Sequence, residues 1–211
     1  MILVAILLAG CGGGSDHPAP ATTSLPPIPS SYSGDGEVFF DGANYTLFTS
    51  TTTPPRGAYL SVGVPTSGGE YVAILDFPLG TLPTGVTIAR ADLDLSYLNL
   101  DPAALLSVEL VDVDAGVGHP ITFYSGAALW PSDASGLPTL LSVQRTVPTT
   151  TALGARILLD VTSLLDFAQV NNFSRFQVRI ALAGSSALAH VTIDDPASGS
   201  GLFPYLDVDY F

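Results

Sequence analysis

Carboxylates dominate the reactive side chains of this 211-residue chain. Sixteen Asp and three Glu stand against six Arg, no Lys and three His, for a net charge of −13. Loop carboxylates can hold a divalent cation, because hard cations gather several oxygen ligands. Asp112 and Asp114, in Asp112-Val113-Asp114-Ala115-Gly116, have the spacing that opens a calcium loop, without the bidentate acid that closes an EF-hand. Asp194 and Asp195 form a second pair. A structural Ca2+ at either place is one reading, and ordinary turn and surface aspartates are the other. Catalytic sets are missing. There is no Gly-x-Ser-x-Gly elbow, no His-Glu-x-x-His, no cysteine pair and no phosphate-cradling glycine loop. His119 and His190 are the histidines beyond the leader, and Ser and Asp are too abundant for a Ser–His–Asp coincidence to carry information. The expectation is a non-enzyme with no cofactor beyond that Ca2+. Aromatic rings offer a different chemistry, stacking on the apolar face of a sugar. Trp130, between Leu129 and Pro131 and ahead of a polar loop, is the candidate platform, with Tyr124 close by in sequence. A core position for the lone Trp is the alternative. Tyr97, Tyr205 and Tyr210 alternate with apolar residues and read as core.

The charge balance narrows the partners. Nucleic-acid binding by counterion release needs clustered Lys and Arg, and none exists here. Attraction to anionic membrane surfaces is disfavoured for the same reason. What remains is an acidic surface, either simply solvated or in part cation-binding.

The single cysteine has its own context. Met1 is followed by the apolar run Ile2 to Leu8 and then by Ala9-Gly10-Cys11. A membrane span takes about 20 apolar residues, so this run has the length of a signal-peptide core instead. Leu8-Ala9-Gly10-Cys11 resembles the lipobox of bacterial lipoproteins. That resemblance implies removal of residues 1–10 and a diacylglyceryl thioether on Cys11, the first residue of the mature chain. An ordinary signal peptide or a buried first strand are the alternatives, and neither accounts for Gly12-Gly13-Gly14-Ser15 immediately afterwards. Two or three acyl chains on one residue would hold the protein stably at a membrane, at about 0.8 kcal/mol per buried methylene. Gly12 in place of Asp after the cysteine implies an outer-membrane destination, in a lipid-anchored protein of the cell envelope.

These residues need elements to position them. From Gly12 to about Gly36 the composition is Gly, Ser, Thr, Pro and Ala, which predicts a flexible, partly polyproline-like tether over 11–36. Over 37–211 the hydropathy alternates with period two between turn clusters, the pattern of an all-β domain. Strands are predicted near 37–41, 44–48, 57–64, 70–77, 91–97, 105–113, 120–124, 140–145, 155–160, 175–180, 188–194 and 205–211. Asp160-Val161-Thr162-Ser163 offers N-cap candidates for one short helix near 162–170, with Leu164, Leu165 and Phe167 on one side. A dozen strands with apolar inner faces predict a two-sheet β-sandwich, a jelly roll.

Several blocks carry a further likeness. Ala73-Ile74-Leu75-Asp76-Phe77, Leu82-Pro83 and Val86 to Leu95 resemble the opening of the DNRLRE-type carbohydrate-binding jelly roll of bacterial surface and secreted proteins. Leu159-Asp160-Val161-Thr162 resembles its middle block. Ile193-Asp194-Asp195 and Phe203 to Tyr210 resemble its closing strands. The resemblance spans about residues 57–211 and implies a polysaccharide-binding or adhesive module. The alternative function is a structural or assembly protein of the cell surface that binds other proteins through sheet faces or edges.

Overall fold

The computed structural model describes residues 21–31, 33–50, 52, 59–101, 104–111, 125–130, 138–147, 156–183, 189–194 and 204–211. Thirteen strands and two helices follow one another in these segments. They are β1 (Thr23–Ser24), β2 (Ile28–Pro29), β3 (Gly36–Phe40), β4 (Tyr45–Thr49), β5 (Tyr59–Gly63), β6 (Glu70–Pro78), β7 (Ile88–Asp101) and β8 (Ala104–Val111), then α1 (Gly126–Leu129), β9 (Thr139–Val147), β10 (Arg156–Asp160), α2 (Thr162–Val170), β11 (Arg175–Leu182), β12 (His190–Asp194) and β13 (Tyr205–Tyr210). The expected strand over 120–124 lies outside the described residues.

Two antiparallel sheets face each other. The first runs β4-β3-β6-β11-β8-β9. In the second, β7 lies between β13 and β10, and β1 and β2 pair with β13. The long strand β7 belongs to both halves of the molecule. Its first part pairs with β13 and β10, while Tyr97 to Asp101 pair with β12, which pairs in turn with β5. A contact between Gly63 and Tyr71 joins β5 to β6. This is the expected all-β sandwich.

The period-two pattern explains the layers. On β6, Ala73, Leu75 and Phe77 point into the main core with Leu93 and Leu95 of β7, Phe176, Val178 and Ile180 of β11, and Leu206 and Val208 of β13. Val72 and Ile74, one residue out of phase, point away from it. They form a second, smaller cluster with Val38, Ala181, Leu129 and Trp130 on the outer face of the first sheet. α2 occupies Thr162–Val170, where it was expected, and buries Leu164, Leu165 and Ala168 against the core. Asp160 accepts the Thr162 N–H at 3.0 Å, and Thr162 Oγ1 accepts the Ala91 N–H at 2.9 Å. The capping side chain therefore sits one residue ahead of the N-cap position itself, Val161.

The expected domain start at residue 37 needs correcting. Residues 23–36 are built into the sandwich. Thr23 and Ser24 pair with Tyr210 and Asp209, and Ile28 and Pro29 pair with Leu206 and Tyr205. Ile28 is only 4% exposed, within the main core, and Leu25 packs against that core. Ser31 donates its N–H to the Asp76 carbonyl, and Asp35 accepts the Asp76 N–H at 2.8 Å. The physical reason is that β13 otherwise ends the second sheet on that side. Two apolar side chains and a few ladder bonds suffice to dock a Pro-rich segment there, since proline is tolerated at a sheet edge.

The registers also give the sandwich two distinct ends. At one end Phe40 lies opposite Glu70, Gly63 opposite both Tyr71 and His190, and His190 opposite Asp101. At the other, Arg175 lies opposite Pro78, and Tyr210 opposite both Ile88 and Thr23. The described N-terminal segment therefore enters at the second end, and the β3–β4 hairpin turns at the first.

Candidate functional site, an aromatic end of the sandwich

The β3–β4 hairpin gathers the side chains best suited to bind something. Its turn is set by Asp41, whose carboxylate accepts the N–H groups of Ala43 at 2.8 Å and Asn44 at 2.7 Å. Gly42 takes φ +99°, a conformation that costs other residues dearly. These backbone donors, Asn44 foremost and then Ala43, hold the Asp41 carboxyl below the usual carboxylate range, so it stays charged. Asp41 and Asn44 are both exposed.

Phe40 and Tyr45 flank that turn as a directly opposed cross-strand pair. Their ring centroids are 4.5 Å apart with planes 21° from parallel. Trp130 lies 5.5 Å from each, tilted by about half a right angle. The two hairpin rings are half-buried, whereas Trp130 is 5% exposed. α1 delivers that Trp. Ser125 accepts the Ala128 N–H and caps the single turn, and Gly126 lets the turn approach Val38 and Tyr45. On the opposite face of the same ribbon, Phe39 and Tyr71 pair at 4.6 Å. His190 stands 6.2 Å beyond Tyr71. Phe40, Tyr45 and Trp130 thus lie on one face of the hairpin, and Phe39 and Tyr71, with His190 beyond, on the other.

Around these rings, burial drives several titratable groups toward neutrality. It raises the Glu70 carboxyl, it raises the Tyr71 phenol with help from nearby Glu37, and it lowers the His190 imidazole. The Nε2 atom of His190 is buried and makes no hydrogen bond. Glu37, also largely buried, accepts the Ser61 N–H at 2.6 Å. Burial thus disfavours the charged forms of Glu70, Tyr71 and His190, whereas Asp41 stays ionised. Chemically, half-buried ring surfaces beside a carboxylate and an amide suit a ligand with an apolar face and hydroxyl edges.

The residues singled out from sequence fall as follows. Trp130 supports Phe40 and Tyr45 from beneath, and its ring is not an open platform. The rings above it were missed, because Phe40 and Tyr45 read as ordinary alternating strand residues. The signal that could have found them is the Asp41-Gly42-Ala43-Asn44 turn, which makes them cross-strand neighbours. Asp194 ends β12 opposite Tyr59 and is 1% exposed. Tyr124, Asp112, Asp114, Asp195 and Cys11 lie outside the described residues, as does His119. Among the described residues no group of three His, Cys, Asp or Glu side chains is placed to hold a metal ion. No described helix is long and apolar enough to cross a membrane.

No protein-family model matches the chain, and no curated protein is similar to it.

Proposed function

We propose that this chain is a cell-envelope lipoprotein, anchored through a lipid on Cys11, whose β-sandwich binds neutral polysaccharide at the ring-bearing end and catalyses no reaction. The observation that carries this reading is the set Phe40, Tyr45, Asp41 and Asn44 on one hairpin, braced by buried Trp130. The resemblance of the strand blocks to a carbohydrate-binding jelly roll points the same way, and the Leu8-Ala9-Gly10-Cys11 motif supports the anchor. A net charge of −13 disfavours acidic chains such as polyuronates. A role in assembly through a sheet edge is the second reading. It draws on β9, a nine-residue strand at the end of the first sheet. Against it, Arg145 of β9 bonds the Asp160 carbonyl at 2.6 Å, which ties that edge to the second sheet.

Affinity electrophoresis through gels holding neutral polysaccharides tests the glycan reading. The wild type is expected to be retarded by at least one of them. Tyr45→Ala should weaken retardation roughly tenfold while leaving a cooperative melt, since about 1.4 kcal/mol of lost contact is a factor of ten. Trp130→Ala should instead destabilise the fold by about 3–5 kcal/mol, as truncation of a buried Trp does. Passage of the wild type unretarded through every gel would reject the function. Retardation untouched by Tyr45→Ala would reject the site.

A further inference from the structure

The hairpin with its rings and the entry of the N-terminal segment are at opposite ends of the same sandwich. Thr23 pairs with Tyr210, beside Ile88, while Phe40 pairs with Glu70 at the far end. The strand that runs from one end to the other, β7, has 14 residues, so the two ends are separated by up to about 40 Å at roughly 3.3 Å per residue. From Thr23 the segment then stays on the domain. β1 and β2 line β13, Ile28 enters the core, and Ser31 and Asp35 hydrogen-bond the backbone of Asp76. Arg175 pairs with the Asp76 carboxylate beneath that loop, and Gly34 lies so close to Asp76 that no side chain would fit there.

This docking changes how far the domain can turn relative to an attachment at Cys11. Between Cys11 and Thr23 the chain can span at most about 40 Å at roughly 3.6 Å per residue. Were the segment free up to Glu37, as its composition suggests, the same limit would be about 90 Å. In the first case the domain can invert, with its rings pointing straight at the membrane, only when the chain is fully taut. In the second, slack would let either end face the bilayer.

We infer that residues 23–35 are a strap that orients the domain, holding the Phe40–Tyr45 end away from the surface to which the N-terminus is attached and toward polysaccharide beyond it. The inference rests on the anchored, glycan-binding reading given above. It specifies which end meets the partner and which segment enforces that choice. Leu158, 53% exposed on the outer face of the second sheet, and Phe211, 47% exposed at the strap's end, fall outside the presented surface.

The test needs neither acylation nor a glycan. The chain from Gly12, carrying an N-terminal hexahistidine, is held on vesicles with nickel-chelating lipids and a nitroxide-headgroup quencher. It has lost Cys11, so a fluorophore can be placed uniquely by Ala43→Cys at the ring end or by Thr84→Cys at the strap end, both exposed positions. The Thr84→Cys label should be quenched at least threefold more than the Ala43→Cys label. Equal or reversed quenching would overturn the inference. Inserting twenty Gly/Ser residues after Ser15 leaves the folded part untouched and should bring the two labels toward equality. If the lengthened chain kept the full difference, tether length would not be the cause and the strap would have no orienting role. Failure of the anchor is read separately, as an unmodified Cys11 in the mass of the cell-derived protein. Failure of the glycan reading appears only in the gels.

Discussion

The outer faces of the two sheets carry similar sequence patterns and end in opposite situations. On both, alternation places polar and charged residues outward. On the first sheet those residues are roofed. Arg179 is 1% exposed and donates to Glu109 at 2.6 and 2.8 Å, to the Leu129 carbonyl at 3.2 Å and to Thr139 at 2.7 Å. Asp76, wholly buried, is held by Arg175 under the strap. On the second sheet the outward row Asp160-Asp92-Asp207 runs across β10, β7 and β13, placing three carboxylates side by side. There Asp92 pairs with Arg90, which is 61% exposed, and Arg145 reaches Asp160 from β9. One face buries its charges in matched pairs under α1 and the strap. The other covers Asp92 and Asp94 as well, but leaves Asp160 exposed and Asp207 partly so, with more carboxylates than the cations paired to them there. An outward phase therefore says which sheet surface a residue occupies and nothing about whether that surface meets solvent.

Removing the hub of the roofed face should have the largest effect. Arg179→Ala leaves Glu109 without its guanidinium and frees the Leu129 carbonyl, so it should cost about 3–5 kcal/mol, in the range for breaking a buried ion pair. Thermal unfolding should show a midpoint lower by roughly 10 °C, at about 2–4 °C per kcal/mol for a chain of this size. A loss under about 1 kcal/mol would mean that the pair behaves like a surface one, and the contrast between the faces would collapse.

The open face should respond in the opposite direction and more weakly. Asp207→Asn removes a charge directly across from Asp92 while leaving the Arg90–Asp92 pair intact. Like charges opposed across strands destabilise by a few tenths of a kcal/mol up to about 1. Urea unfolding at low salt should therefore show a small gain in stability, fading as the Debye length shortens toward about 3 Å at 1 M salt. A clear loss instead would show that Asp207 is held by a favourable contact.

The smallest effect is a slope with pH. Burial lowers the His190 pKa below its unfolded value near 6.5. In the window between the folded and unfolded values the unfolded chain binds more protons, so stability must fall as pH drops from about 6.5 toward the folded pKa. Asp160 acts lower on the scale. Its pKa is depressed, first by the Thr162 N–H and only later by Arg145, so its contribution is present above about 4 and lost as pH falls through the folded value. His190→Gln should flatten the fall in stability that begins as pH drops below about 6.5. An unchanged slope would place the responsible group elsewhere.

Most of the framework was legible in the residues themselves. Phe176, Val178 and Ile180 against Gln177 and Arg179, or Leu206 and Val208 against Asp207 and Asp209, alternate as a strand does when it turns its apolar set to the core. α2 was equally readable, because Leu164, Leu165 and Phe167 follow a polar cap at helical spacing. The candidate site was half legible. Trp130 drew attention as a lone ring, but its role is to brace Phe40 and Tyr45, residues that carry no distinguishing mark until a turn sets them face to face. The strap was not legible, since Pro26, Pro27 and Pro29 argue for an extended leader and only Leu25 and Ile28 hint at burial.

The sequence by itself determined the period-two layers and helix α2, because each depends on neighbours a few residues apart. Tertiary structure alone decided which charges are roofed, which rings meet at the hairpin, and that residues 23–36 join the sandwich. Those outcomes depend on pairings such as Arg179 with Leu129 or Ile28 with Leu206, whose partners are 50 and 178 residues apart. Local propensity cannot encode such distances; only closure of the whole sandwich brings these groups together.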